Sequence, residues 1–148
     1  MKYTVYLSGE IHTDWREKIK NAVNEQKLPL EILTPNTDHE SSDDCGVRIL
    51  GREDNSFWKD NKAAKINSMR HMTALQRADI VVVRFGDKYK QWNAAFDAGI
   101  AAALGKSLIV EHATDITHPL KEIDAAAMAT AENTEQVIEI LEYLCRDY

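Results

Sequence analysis

The chain has 148 residues, of which 44% are hydrophobic and 28% are charged, and its net charge is −6. This length and balance predict one globular domain, residues 1–148, with a core of its own. The acidic balance argues against a nucleic-acid polymer as a partner, because phosphate binding needs a basic surface, whereas a single nucleotide needs only a few local donors.

The cysteines and the N-terminal sequence bear on the cellular compartment. Cys45 and Cys145 lie far apart and form no CxxC pair, which favours a reducing cytoplasm. The segment MKYTVYLSGE lacks the apolar core of a signal peptide, and no apolar run approaches the roughly 20 residues of a membrane helix. We therefore expect a cytoplasmic protein with no membrane contact.

Strand and helix patterns alternate along the chain. The first half predicts a strand over 3–8, a helix over 12–26 with Thr13 as a possible N-cap, a strand over 30–33, a long polar loop over 36–55 and a helix over 56–77. The second half predicts a strand over 80–84, an Ala-rich helix over 92–104, a strand over 107–111, a short strand over 126–131 and a final helix from 133 or 134 to about 146.

This alternation predicts an α/β fold. We expect a single flavodoxin-like, three-layer domain, with a parallel sheet of about five strands and helices on both faces. The consecutive β-branched residues of 80–84 place that strand at the centre. In such folds ligands bind beyond the carboxyl ends of the strands, where the strand order reverses.

Several common site motifs are absent from the sequence. There is no GxGxxG after the first strand, no GxxxxGK[ST] phosphate loop, no HExxH or paired Cys/His spacing, and no GxSxG elbow. We therefore expect neither a cofactor nor a metal. The histidines are scattered, and each is more typical of a loop or surface residue than of a metal ligand; they are His12, His39, His71, His112 and His118.

One carboxylate lies close to the predicted binding edge. The block from Asp79 to Lys106, DIVVVRFGDKYKQWNAAFDAGIAAALGK, joins a buried strand to the Ala-rich helix. Asp97 lies about one and a half turns into that helix, and Asn93 is four residues earlier on the same face. Burial of an acid costs free energy, while the helix dipole favours its ionised form. Asp97 is therefore a candidate nucleophile or electrostatic stabiliser, with capping or a lysine pair as the alternative.

Two further groups of residues are predicted near the same edge. The end of the first strand supplies a close-approach glycine and possible binding groups, which are Tyr6, Ser8, Gly9, Glu10 and His12. The turn before the Ala-rich helix supplies two aromatic and two amide side chains suited to a planar ring, which are Tyr89, Gln91, Trp92 and Asn93. Packing or plain loop roles are the alternatives.

The acid-rich segment 37–46 and Asp79 are less specific signals. The segment 37–46 is consistent with a solvated charge run, a hydroxyl-binding lid or a weak cation site. It lacks the spacing of a calcium loop, and a solvated lid is the favoured interpretation. Asp79 precedes the third strand, where an exposed acid at the far edge of the sheet is the simpler interpretation.

Three longer segments carry a resemblance to a known family. YLSGEIHTDWR, DHESSDDCG and FGDKYKQWNAAFDAGIAAALGK resemble the YtoQ branch of the nucleoside 2-deoxyribosyltransferase superfamily, over essentially the whole chain. The similarity to characterised transferases is looser, and it rests on the first strand and on the block 79–106.

The resemblance implies roles for individual residues. The transferase helix motif, D-S-G-T-A-x-E-x-G-x-A, carries the nucleophilic glutamate. Aligned on Gly99, that glutamate falls on Asp97 and the first aspartate of the motif falls on Gln91. The resemblance thus implies that Asp97 is the nucleophile and that Tyr6 positions it by a hydrogen bond. Asp79 resembles the family's acid before the third strand, and the resemblance therefore makes it a further candidate catalytic residue.

The resemblance also implies a reaction and an assembly. Asp97 would attack the anomeric carbon of a nucleoside or nucleotide, the base would leave, and a second base or water would take the sugar with retention. Asn93 and Gln91 would hold sugar hydroxyls, and Trp92 or Tyr89 would stack on the base. Because the family completes its sites across subunit contacts, we expect a homo-oligomer.

Two hypotheses of different classes follow. The first is an enzyme, either a deoxyribosyltransferase or an N-glycosidase that uses water. The second is a non-catalytic module that binds a nucleoside or nucleotide, motivated by Gln91 and by the shorter arm of Asp97. A phospho-accepting receiver has the same topology but needs paired acids after the first strand, where Ser8-Gly9-Glu10 supplies one acid only.

Overall fold

The computed structural model describes residues 2–88 and 91–146 and is built around a five-stranded parallel sheet. The strands are β1 (Tyr3–Gly9), β2 (Leu30–Leu33), β3 (Ile80–Arg84), β4 (Ser107–Glu111) and β5 (Ala129–Ala131). They stand in the order β2-β1-β3-β4-β5, with every neighbouring pair parallel. This is the flavodoxin-like strand order, so the predicted fold class is confirmed.

Helices cover both faces of the sheet. The helices are α1 (Trp15–Glu25), α2 (His39–Leu50), α3 (Ser56–Arg77), α4 (Trp92–Ala103), α5 (Thr117–Ala126) and α6 (Thr134–Leu144). Helices α1 and α6 pack on one face, and α3, α4 and α5 contribute to the core on the other. Among the described residues, no helix is both long enough and apolar enough to cross a membrane.

Alternate residues of each strand supply the two cores. In β3, Val82 faces the core of α1 and α6, whereas Val81 and Val83 face the opposite core, and all three are fully buried. Burial of each such side chain stabilises the fold by roughly 1.5–3 kcal/mol. Tyr6 and Ser8 are two residues apart in β1, and the period of two directs both toward the face that carries α4.

The prediction of a loop over 36–55 was wrong, because α2 occupies most of that segment. Asp38 caps the helix and its carboxylate accepts a 2.6 Å hydrogen bond from the Ser41 amide. Gly46 is buried against α3: a Cβ added there would lie 2.5 Å from the Ala63 amide nitrogen. The helix is therefore stabilised by its close packing on α3. This packing could not be predicted from the small polar residues of the segment.

Three other boundaries differ from the sequence predictions. The first helix begins at Trp15 instead of residue 12, and its N-cap is Asp14 instead of Thr13. Residues 117–126 form α5, which was not predicted. The fifth strand is accordingly shorter than predicted, Ala129–Ala131, because residue 126 ends that helix.

Candidate active site

Asp97 lies where the strand order of the sheet reverses. The carboxyl ends of β1 and β3 meet there, and α4 follows β3 directly. The helix places Asp97 on its buried face together with Ala94, Ala98 and Ala101. These small side chains let α4 approach the sheet closely, which brings the carboxylate beside the end of β1.

Ser8 is the hydrogen-bond donor to this carboxylate. Its hydroxyl, at the end of β1, donates to Asp97 Oδ2, and both residues are buried, with exposed fractions of 1% and 6%. The bond joins residues 89 positions apart in the sequence. A buried carboxylate needs such a donor, since its desolvation would otherwise be uncompensated.

Two cavities open above Asp97. The larger has a volume of about 560 Å³ and extends between α2, α3 and α4, and the smaller has about 240 Å³ and reaches the end of β1. The residues that line both are Ser42, Asp43, His71, Asn93 and Asp97. A cavity of this size accepts a small molecule, and its polar groups come from three helices.

His71 was not predicted from the sequence as part of the site. It projects from α3 with Nδ1 3.7 Å from Asp97 Oδ2, and its ring lies edge-on to that of Tyr6, with 6.5 Å between the centroids. The side chain is one-third exposed. The spacing of four between Asn67 and His71 on one helix face was the available signal, since both line the larger cavity.

Tyr6 lies beneath the pair formed by Ser8 and Asp97. It is fully buried, and burial followed by the charge of Asp97 raises the pKa of its phenol, which therefore stays neutral. The Arg16 charge and the nearby Ser8 hydroxyl act to lower that pKa, yet among the described residues the Tyr6 hydroxyl has no hydrogen-bond partner of normal geometry. The donor role expected of Tyr6 is thus occupied by Ser8.

Gly9 lines the smaller cavity, but its conformation is set by the sheet. Its φ is +106°, and a Cβ there would lie 2.2 Å from the carbonyl oxygen of Arg84 in β3. The close approach expected of this glycine is therefore to the neighbouring strand.

Glu10 stabilises the loop after β1. Its carboxylate accepts hydrogen bonds from the His12 amide at 2.7 Å and from the Thr13 hydroxyl at 2.8 Å, and it pairs with Arg84 at 3.2 Å. Burial would raise the pKa of Glu10, but these bonds and the Arg84 charge outweigh it, so the pKa lies below its usual value. The predicted substrate-binding roles of Glu10 and His12 are not supported, since neither lines the two cavities.

The residues of the turn before α4 have different positions. Asn93 lines both cavities, as predicted. The Gln91 side chain is directed elsewhere: its Oε1 accepts a 2.9 Å hydrogen bond from the Gly86 amide, and Gln91 is not among the cavity-lining residues. Trp92 is exposed and does not line the cavities either. Tyr89 lies outside the described residues.

Asp79 lies at the opposite edge of the sheet. Its carboxylate accepts a 2.8 Å hydrogen bond from the Thr4 amide at the start of β1. The five-residue strand β3, about 16 Å long, separates it from the carboxyl edge where Asp97 lies. The structure therefore does not bring Asp79 to the candidate site, because residues before and after one strand lie at its two ends.

The acid-rich segment 37–46 covers the site as a helix. Ser42 and Asp43 of α2 line both cavities, and Asn67 Nδ2 of α3 donates to the Ser42 carbonyl at 3.0 Å. Asp44 points to α3, where it pairs with Lys59 at 2.8 Å. Of residues 2–88 and 91–146, no three His, Cys, Asp or Glu side chains are grouped as a metal site would require.

The chain is thus a flavodoxin-like α/β domain with a buried carboxylate under a polar cavity. That carboxylate, Asp97, accepts a hydrogen bond from Ser8. The chain belongs to the family described as nucleoside 2-deoxyribosyltransferase YtoQ, whose model matches residues 6–145. The uncharacterized protein YtoQ of Bacillus subtilis (strain 168) is 44% identical over 144 residues, which is 97% of each chain.

Two solved structures share the fold at low sequence identity. The 2-deoxyribosyltransferase of Bacillus psychrosaccharolyticus is 17% identical with a TM-score of 0.57, over 91% of this chain and 90% of that one. The CMP N-glycosidase of Clostridium botulinum is 14% identical with a TM-score of 0.54, over 95% and 98% of the two chains. At these identities the likeness establishes the fold.

Proposed function

We propose that the protein is an enzyme that breaks the N-glycosidic bond of a nucleoside or nucleotide through a covalent glycosyl–Asp97 intermediate. The observation that carries the proposal is the buried Asp97 carboxylate, held by Ser8 at the floor of a cavity at the switch point of the sheet. Membership of a family described as nucleoside 2-deoxyribosyltransferase YtoQ supports a nucleoside or nucleotide as the substrate.

The geometry supports a double displacement. Ser8 donates to Oδ2 of Asp97, so we assign the attack on the anomeric carbon to Oδ1. The C1′–N bond breaks as the C1′–O bond forms, and the electron pair leaves with the base. A second base or water then displaces Asp97, so that the two inversions give overall retention. Asn93, on the cavity wall one helical turn before Asp97, would hold a sugar hydroxyl.

We propose that the enzyme works in the cytoplasm as a homo-oligomer. Phe96 supports the assembly, because it lines the larger cavity and yet is 68% exposed. Trp92, one turn away on α4, is 72% exposed. A second subunit over this rim would bury both aromatic rings and close the cavity.

Base release by purified protein tests the proposal. Wild type incubated with the common ribonucleosides, 2′-deoxynucleosides and their 5′-monophosphates should release free base, or exchange it when a second base is added. Asp97→Ala should lose at least about 10³-fold in rate. Asp79→Asn is the matched control and should retain kcat, because that carboxylate lies at the far edge. Wild type that releases and exchanges no base from any of these compounds overturns the enzymatic proposal.

Trapping the intermediate tests the nucleophile. Fluorine at C2′ slows departure of the sugar from a carboxylate, so a 2′-fluoroarabinosyl nucleoside should leave a sugar mass on the protein. Peptide mass spectrometry should locate that mass on Asp97. A sugar found on another residue, with turnover intact in Asp97→Ala, would rule out Asp97 as the nucleophile.

The second candidate is a non-catalytic binding module. Gln91 favours it, because an amide fixed on the Gly86 backbone cannot transfer a proton where the family has an aspartate. Isothermal titration that detects a nucleoside or nucleotide binding intact, with no base released over hours, would support this candidate.

A further inference from the structure

We infer that His71 is the proton-transfer residue of this site: it protonates the leaving base and then deprotonates the incoming nucleophile. The inference rests on the proposed glycosyl transfer through Asp97 and adds the group that moves the proton. The observation behind it is the approach of His71 Nδ1 to 3.7 Å from Asp97 Oδ2 in the wall shared by both cavities.

Proton transfer is needed because a base leaves poorly as an anion. The group must titrate near neutral pH and face the same cavity as the nucleophile. Gln91 satisfies neither condition, since it is an amide and its Oε1 is bound to the Gly86 amide. Tyr6 is unsuitable as well, because burial raises its pKa far above neutrality.

The cavity walls contain two histidines among the described residues. His39 Nδ1 lies 3.0 Å from Asp43 Oδ2 on α2, and its side chain is 76% exposed. His71 is the histidine that approaches Asp97, and its side chain is 33% exposed. An imidazole ring can donate a proton from one nitrogen and accept one back, which suits a group that gives and then takes a proton.

The orientation of the ring separates its two nitrogens. Nδ1 is the nitrogen that approaches Asp97 Oδ2, so we assign Nε2 to the substrate. Retaining glycosyl enzymes place the nucleophile and the proton donor about 5 Å apart, on either side of the bond that breaks. His71 and Asp97 both line the two cavities, so a substrate held there can contact the nucleophile and the imidazole together.

Protons and electron pairs are conserved over the two half-reactions. In the first, Asp97 Oδ1 bonds to C1′, the C1′–N pair moves to the base, and His71 Nε2 gives that base its proton. In the second, neutral His71 takes a proton from water, or from the N–H of a second base, as that nucleophile bonds to C1′. Asp97 leaves as a carboxylate, and His71 is again protonated.

Leaving groups of different basicity test the inference. His71→Gln should lose about 10²–10⁴-fold in kcat/KM on the nucleosides that wild type cleaves. It should lose less than about tenfold on the 4-nitrophenyl glycoside of the same sugar, because nitrophenolate leaves without a proton. Added imidazole should restore nucleoside cleavage to His71→Ala. His118→Gln, an exposed histidine on α5, is the matched control.

The outcomes separate this inference from the proposed function. Equal losses of His71→Gln on both leaving groups would make His71 a positioning residue for Asp97 and overturn the inference. Unchanged nucleoside cleavage by His71→Gln would overturn it too, while Asp97→Ala would still report on the nucleophile. Wild type inert on every nucleoside overturns the proposed function itself. Thermal unfolding and nucleoside titration of each variant identify losses that arise from misfolding.

Discussion

Asp97 depends on Ser8 for its orientation, and the two come from distant parts of the chain. The hydroxyl of Ser8 fixes Oδ2, so Oδ1 is directed by the same bond. His71 Nδ1 lies 3.7 Å from Oδ2, which is longer than a hydrogen bond. Ser8 is therefore the group whose loss should disturb the carboxylate most.

Ser8→Ala is expected to lower kcat about 10- to 100-fold and to change KM little, because a nucleophile displaced by about 1 Å loses its alignment without losing the binding surface. Steady-state base-release assays measure both constants. Ser107→Ala, at the other end of the sheet, is the control and should behave as wild type. Wild-type kcat in Ser8→Ala would contradict this assignment.

Glu10 should make stability depend on pH, because its pKa is lower in the folded chain than in the unfolded one. Its stabilisation is present above the ordinary pKa of 4.5 and is lost as the pH falls through the folded pKa. Glu10→Gln should therefore be less stable than wild type by about 2 kcal/mol at pH 7, and the gap should narrow below pH 4.5.

Urea unfolding at several pH values between 7 and 3 measures that gap. Glu25→Gln, on the exposed side of α1, should match wild type throughout. A gap for Glu10→Gln that stays constant over this range would show that the carboxylate charge does not stabilise the loop.

At the scale of elements, the packing of α2 on α3 forms the roof of the cavity. Gly46 permits this contact, since a Cβ would lie 2.5 Å from the Ala63 amide nitrogen and 2.6 Å from Lys62 Cβ. Two carboxylates of α2 have different roles: Asp44 pairs with Lys59 of α3, whereas Asp43 lines the cavity.

Gly46→Ala is expected to lower the free energy of unfolding by about 1–2 kcal/mol, because overpacking outweighs the better helix propensity of alanine. Gly99→Ala is the matched control: Gly99 also lies inside a helix, but nothing lies within 4 Å of its added Cβ. It should gain about 0.5–1 kcal/mol. Denaturant unfolding of the two variants compares them directly, and a stabilised Gly46→Ala would contradict the packing described.

At the scale of the whole molecule, large apolar side chains remain on the surface beside the cavity. Phe96 and Trp92 on α4 and Met69 on α3 are each more than two-thirds exposed. Patches of this kind on a small domain mark interaction surfaces. Phe96 also lines the larger cavity, which is the reason for proposing that a second subunit completes the site.

Phe96→Glu should shift the protein toward the monomer, because a charge would be buried at the subunit contact. Size-exclusion chromatography with light scattering measures the mass of each species. Tyr143→Glu, an exposed aromatic position on α6 at the other face, is the control and should keep the wild-type mass. A wild type that is monomeric at high concentration would contradict the proposed assembly.

Local sequence patterns were enough to predict the sheet and the carboxyl edge at which the candidate site lies. Runs such as Ile80–Arg84 identify buried strands locally, and the alternation of strands and helices leaves few topologies. The sequence also identified Asp97 as a candidate functional residue, because an acid among small apolar residues is unusual in a short helix.

The set of side chains that meet at Asp97 follows from the packing of segments that are distant in the sequence. The helix α2 has weak local propensity and is stabilised by Asn67 and Lys59 of α3, so its sequence resembled a loop. Glu10 and Gln91 were predicted at the site, but their hydrogen bonds to nearby backbone direct them elsewhere. His71 and Ser8 approach Asp97 because α3, β1 and α4 pack together, and a contact between such distant segments leaves no local pattern in the sequence.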